Sequence, residues 1–130
     1  MSRGFDRFLT PAFTAQASAA IASGGFSAGA QTDYNTLAGE NLDGCSSASI
    51  EIDVTVFAAA GACQIWHEAK QHDDTGYAEP RLVGRATIAG AGKHTEIIHG
   101  LGRKGRIKLK AIDQNITASA SMLGMYTADV

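Results

Sequence analysis

The chain has 130 residues, which suits one domain and leaves little room for two. It holds no run of about 18 apolar residues, which excludes a transmembrane helix, and its net charge of −2 argues against nucleic-acid binding driven by overall charge. Hydrophobic residues make up 45% but lean on alanine, with aromatics at only 7%; so thin a core points to help from neighbouring chains.

The opening Met1-Ser2-Arg3-Gly4-Phe5-Asp6-Arg7-Phe8-Leu9 imitates the charged start of a signal peptide. Pro11, Thr14, Gln16 and Ser18 interrupt the apolar run that would have to follow, so no secretion signal is expected. Cys45 and Cys63 are accordingly expected as free thiols of a reducing compartment. No Cys-x-x-Cys supports a zinc or redox site.

Residues 10–47 are rich in Ala, Ser, Gly and Thr and are punctuated by Gly24-Gly25, Gly29, Gly39 and Gly44. Phe13-Thr14-Ala15-Gln16-Ala17 can be extended, and residues 15–21 can equally form a short alanine-favoured helix. Residues 1–47 are read as an arm or irregular lobe that orders against a partner.

From Ser47 onward the pattern changes to period two. In Ser49-Ile50-Glu51-Ile52-Asp53-Val54-Thr55-Val56 the aliphatic residues face one side and Glu51, Asp53 and Thr55 the other, as in a half-buried strand. A second strand spans residues 62–68, with Cys63 and Ile65 on one face and Trp66 on the other. A polar loop with the turn sequence Asp73-Asp74-Thr75-Gly76 follows. Further strands are expected over residues 82–88, 95–99, 106–112 and 116–126. Their short connections exclude crossover helices and imply mostly antiparallel pairing. Residues 48–130 thus predict an all-β domain, an antiparallel β-sandwich or small barrel.

Candidate chemistry is sparse. His67-Glu68-Ala69-Lys70-Gln71-His72 has its histidines five apart, not the four that put both on one helical face of a zinc protease. Asp73, Asp74 and Glu79 offer oxygen to a hard cation but lack the spacing of a calcium loop. Cys63 and His67 share a strand face two pairs apart, too far for a thiolate–imidazole pair. No Gly-x-Ser-x-Gly elbow and no phosphate loop occurs. Neither a catalytic residue, nor a metal, nor a cofactor is expected. Arg103-Lys104-Gly105-Arg106-Ile107-Lys108-Leu109-Lys110 gathers five of the 11 basic residues. On a strand, Arg106, Lys108 and Lys110 share a face. That face either meets an acidic protein neighbour or is an ordinary solvent face that pairs with Glu51 and Asp53.

The rhythm of the last two thirds resembles a known group. Ile-Glu-Ile-Asp-Val-Thr-Val leads to an Ala/Gly turn, then to a strand ending in Asp73-Asp74-Thr75-Gly76. Leu82-Val83-Gly84-Arg85-Ala86-Thr87-Ile88 runs into Gly90-Ala91-Gly92-Lys93. Gly100-Leu101-Gly102-Arg103-Lys104-Gly105-Arg106-Ile107-Lys108-Leu109 precedes a final strand ending near Gly124-Met125-Tyr126. This resembles the small β-sandwich virion proteins encoded among the head genes of tailed bacteriophages. The resemblance implies a non-enzymatic structural protein that decorates or cements the capsid, assembled in the host bacterial cytoplasm. Its partners would be the major capsid protein or other virion proteins, and sister subunits in a homo-oligomer, a trimer by preference, with no nucleic acid and no membrane. Alternatives are a head-fibre, tail or adaptor component, or a glycan-binding attachment module with exposed aromatics at Trp66 or Tyr77. The residues expected to make capsid or subunit contacts are Phe5, Phe8, Leu9, Phe13 and Phe26 of the arm. Arg103, Lys104 and Arg106 come second.

Overall fold

The computed structural model describes residues 4–8 and 11–129, and the side chains of residues 11–125. It is all-β and built from two antiparallel sheets. The first holds β1 (Gly4–Phe8), β2 (Phe13–Ile21), β4 (Ser47–Phe57), β7 (Gly92–Ile98) and β9 (Ile116–Asp129). The second runs in the order β3-β8-β5-β6, from β3 (Tyr34–Asn35), β8 (Lys104–Ile112), β5 (Gly61–Ala69) and β6 (Arg81–Ile88). The sheets do not close on each other, so of the two expected architectures the sandwich is the one formed.

Alternation decides which side chains enter the core. Ala48, Ile50, Ile52 and Val54 of β4 and Ile116, Ala118, Ala120 and Met122 of β9 fill it from one sheet. Cys63 and Ile65 of β5, Ile107, Leu109 and Ala111 of β8, and Ala86 and Ile88 of β6 meet them from the other. Ala118 and Ala120 of β9 share one buried cluster with the branched chains of β8 and β5, so the alanine-rich composition thins the core without leaving it polar.

Within residues 11–47 the described chain packs onto the sandwich. Ala15, Ile21, Tyr34, Leu42 and Cys45 belong to the same buried cluster as the rest of the chain. β2 pairs with β9 from Phe13↔Met122 to Ile21↔Ile116, so the segment left open between strand and helix is a strand. The stretch after it is irregular but tied down along the free edge of β8. Gly24 N–H donates to Ala111 O (2.7 Å), Ser27 N–H to Leu109 O (2.7 Å) and the Gln31 amide to Ile107 O (2.6 Å). Ser27 Oγ accepts from Leu109 N–H (3.0 Å) and donates to the wholly buried Gln16 (2.8 Å). An edge that would otherwise offer unpaired backbone groups is thus covered by the chain itself, and no boundary in packing falls near residue 47.

β1 is placed differently. It pairs with Met125–Asp129 of β9, whereas the pairing of β4 with β9 ends at Ser47↔Met125. Beyond that rung, β1 and β9 form a two-stranded ribbon past the body of the sandwich.

Candidate functional site

The outer face of the second sheet gathers a row of cations and aromatic rings. Register places Arg85, Gln64 and Lys110 in one row, Leu82, Trp66 and Lys108 in the next, and Glu68 beside Arg106 in a third. The period-two pattern thus projects Arg106, Lys108 and Lys110 to one side, as expected. Their carboxylate partner differs from the expected one. Glu51 and Asp53 lie on the other sheet, and Glu68 of the neighbouring strand takes their place: Arg106 Nε is 2.9 Å and Lys108 Nζ 3.3 Å from its oxygens.

Aromatic rings are interleaved with these cations. Phe26, bridged to Lys110 from the segment along β8, meets Trp66 edge to face with centroids 5.5 Å apart. Lys108 Nζ stands 4.6 Å from the Phe26 ring; Lys110 Nζ stands 5.1 Å from it and 5.4 Å from Trp66. The Trp66 indole N–H donates to Gln64 (2.9 Å). Tyr77 is covered by the Arg106 guanidinium, 3.8 Å from its ring centre, and its hydroxyl donates to Asp33 (2.6 Å). Cations over ring faces are attracted by the quadrupole, so the rings hold these cations in place without adding a counter-charge to that of Glu68. Trp66 and Tyr77 are both half-buried, and Tyr77 has Lys70 as well as Arg106 over its ring.

The expected contact residues scatter. Leu9 lies outside the described residues, and so do the side chains of Phe5 and Phe8, whose backbone is in β1. Phe13 packs against the core. Phe26 is 39% exposed on the cationic face. Arg103 and Lys104 both reach Asp74, at 2.9 and 3.6 Å, and Arg103 also donates to Gln71 O and His72 O. These two cations fasten the 71–77 loop, and the Arg103 hydrogen bond holds the Asp74 carboxyl below its usual range. Asp73 accepts from the Thr75 backbone N–H and hydroxyl, at 3.1 and 2.7 Å. Both carboxylates of the turn are engaged within the chain.

His67, Glu68 and His72 diverge. His67 points into the core, Glu68 to the outer face, and His72 is exposed in the loop. The period-two pattern gives no hint of what His67 does. Its Nε2 is 2.6 Å from Tyr34 Oη, and the Tyr34 hydroxyl donates to Leu101 O. One tautomer satisfies the set: Nε2–H donates to Tyr34, while Nδ1 accepts from Arg81 Nη2 (3.4 Å). Burial, reinforced by the Arg81 charge and opposed by Glu68, lowers the His67 pKa to about 4. Burial also holds the Tyr34 hydroxyl protonated far above its ordinary range. The imidazole is a neutral strut between β5, β3 and β6, with its ring stacked on Tyr34. A two-residue strand contributing one tyrosine carries no periodic signal, so the sequence pattern could not show this.

Comparison with family models, with characterised proteins and with solved structures yields no match. The fold and this face define an antiparallel β-sandwich bearing a cationic, aromatic-lined sheet face.

Proposed function

We propose that the chain is a non-enzymatic structural subunit of a tailed-phage virion, decorating or cementing the head through contacts with the capsid and with sister subunits. The observation that supports this reading most is the ribbon of β1 and Met125–Asp129 of β9. Two strands without a third are marginal in water. Among the described residues the ribbon has no third strand, so its outer edges present backbone donors and acceptors to an added chain. A shell surface provides that third strand, and many copies on one shell add avidity. The phage-like rhythm of residues 48–130 supports, as partner, the major capsid protein or another virion protein, met in the host cytoplasm during assembly.

The test is co-sedimentation of the purified chain with empty heads of the phage that encodes it. The full chain is expected to pellet with the heads. A variant lacking residues 1–10 keeps β2 and is expected to stay folded by circular dichroism but remain in the supernatant. A full chain that ignores the heads, or a truncated one that binds as well, removes the reading.

A further inference from the structure

We propose that the outer face of the second sheet docks onto the outer face of the first sheet of another copy of this chain, so that copies associate head to tail. One half of this interface is the stripe Phe26–Trp66–Leu82. Leu82 pairs with Trp66 across β6 and β5, and Phe26 closes against Trp66 from the other side. Phe26 is 39% and Leu82 47% exposed. Beside the stripe stand Arg85, Lys108 and Lys110. Glu68 answers Arg106 and Lys108, while Lys110 and Arg85 have no carboxylate within ion-pair distance among the described residues.

The other half lies across the sandwich. Register puts Ile97, Ser49 and Leu123 in one row on the outer face of the first sheet. The next rows hold Thr95, Glu51 and Ser121, then Lys93, Asp53 and Ser119. Ile97 is 45% exposed. Lys93 answers Glu51 at 3.5 Å, and Asp53 has no ion pair among the described residues. Each face thus sets exposed apolar side chains beside charged ones, and the excess charges are of opposite sign: Arg85, Arg106, Lys108 and Lys110 outnumber Glu68 on one face, and Glu51 and Asp53 outnumber Lys93 on the other. Apolar rows that lose water together supply the attraction. Opposite charges steer the encounter and fix which row meets which.

The two faces are on opposite sides of one sandwich, so one copy cannot satisfy its own. Pairing unlike faces is heterologous and continues from copy to copy, as a ring where the rotation closes and a stack where it does not. A second copy is the occupant because this chain carries both complementary halves.

Sedimentation velocity on the full chain tests this, and it uses no heads, so its outcome is separable from that of head binding. Wild type is expected to associate with rising concentration, and less so in high salt, which screens the charges. Lys110→Glu and Asp53→Lys, each checked by circular dichroism, are expected to sediment as monomers. An equimolar mixture of the two is expected to associate again, because the reversed charge of one meets the reversed charge of the other. A wild type that stays monomeric, including one that instead binds an acidic polysaccharide or an acidic peptide, overturns the proposal. So does association indifferent to both variants, or a mixture that does not re-form it.

Discussion

Protonating His67 would set it against its surroundings. Its Nδ1 would gain a proton facing the Arg81 guanidinium, and a buried site would gain a charge. The unfolded chain has no such restraint and takes up the proton near pH 6.5. Between pH 6.5 and about 4 the unfolded state therefore binds the proton that the folded state refuses. Stability is complete above that window and falls as the pH drops through it, by up to about 3 kcal/mol. Denaturant titrations from pH 7 to pH 4 are expected to show this loss, and His67→Gln, which keeps a donor toward Tyr34, to reduce it. Gly105 belongs to the same neighbourhood. A Cβ there would lie 2.6 Å from Glu68 O and 2.9 Å from the Tyr34 ring. Gly105→Ala is expected to cost about 1–3 kcal/mol through overpacking, measured as a lower denaturation midpoint with an unchanged slope.

Strands differ in how plainly the sequence announces them. β4 and β8 follow period two with Ile, Val or Leu on one side, and β5 and β9 follow it with a mixed row of one Ile each and smaller or softer residues, so their faces are legible from the residue pattern alone. β2 is not, for two reasons. Its residues are mostly Ala, Ser and Thr, whose burial alternates weakly, and its pairing with β9 shifts register between Thr14 and Gln16 and again between Gln16 and Ala19. Each shift breaks the alternation that identifies a strand. The cationic face is legible in the spacing of Arg106, Lys108 and Lys110. Its aromatic partner is not, because Phe26 reaches it from an irregular segment. Glu68, itself buried, ties β5 to β8 through two half-buried cations. Glu68→Ala is expected to cost about 1–2 kcal/mol, with most of the difference from wild type persisting in high salt because the pair is screened little; paired melts at low and high ionic strength measure it.

At the scale of the whole molecule, the cysteines report on integrity. Cys45 and Cys63 are both free and buried. Burial pushes the Cys63 thiol up to about 12 and raises Cys45 as well, so neither supplies thiolate at neutral pH. Native protein is expected to react slowly with iodoacetamide and to take up two labels once denatured, as mass spectrometry shows. Rapid labelling of Cys63 under native conditions would mean that the sandwich opens locally rather than as a unit.

The position of β9 also has a consequence for synthesis. β9 supplies the hydrogen-bonding partner of β1, β2 and β4, yet its residues emerge from the ribosome long after theirs. At about 5–20 residues per second, the roughly 95 residues between β2 and β9 leave β2 unpartnered for about 5–20 s. An exposed strand rich in Val, Ile or Phe would be at risk of aggregation over that interval. The nine residues of β2 include one Phe, one Ile and four alanines. The alanine that thins the finished core therefore also limits the stickiness of a nascent strand waiting for its partner.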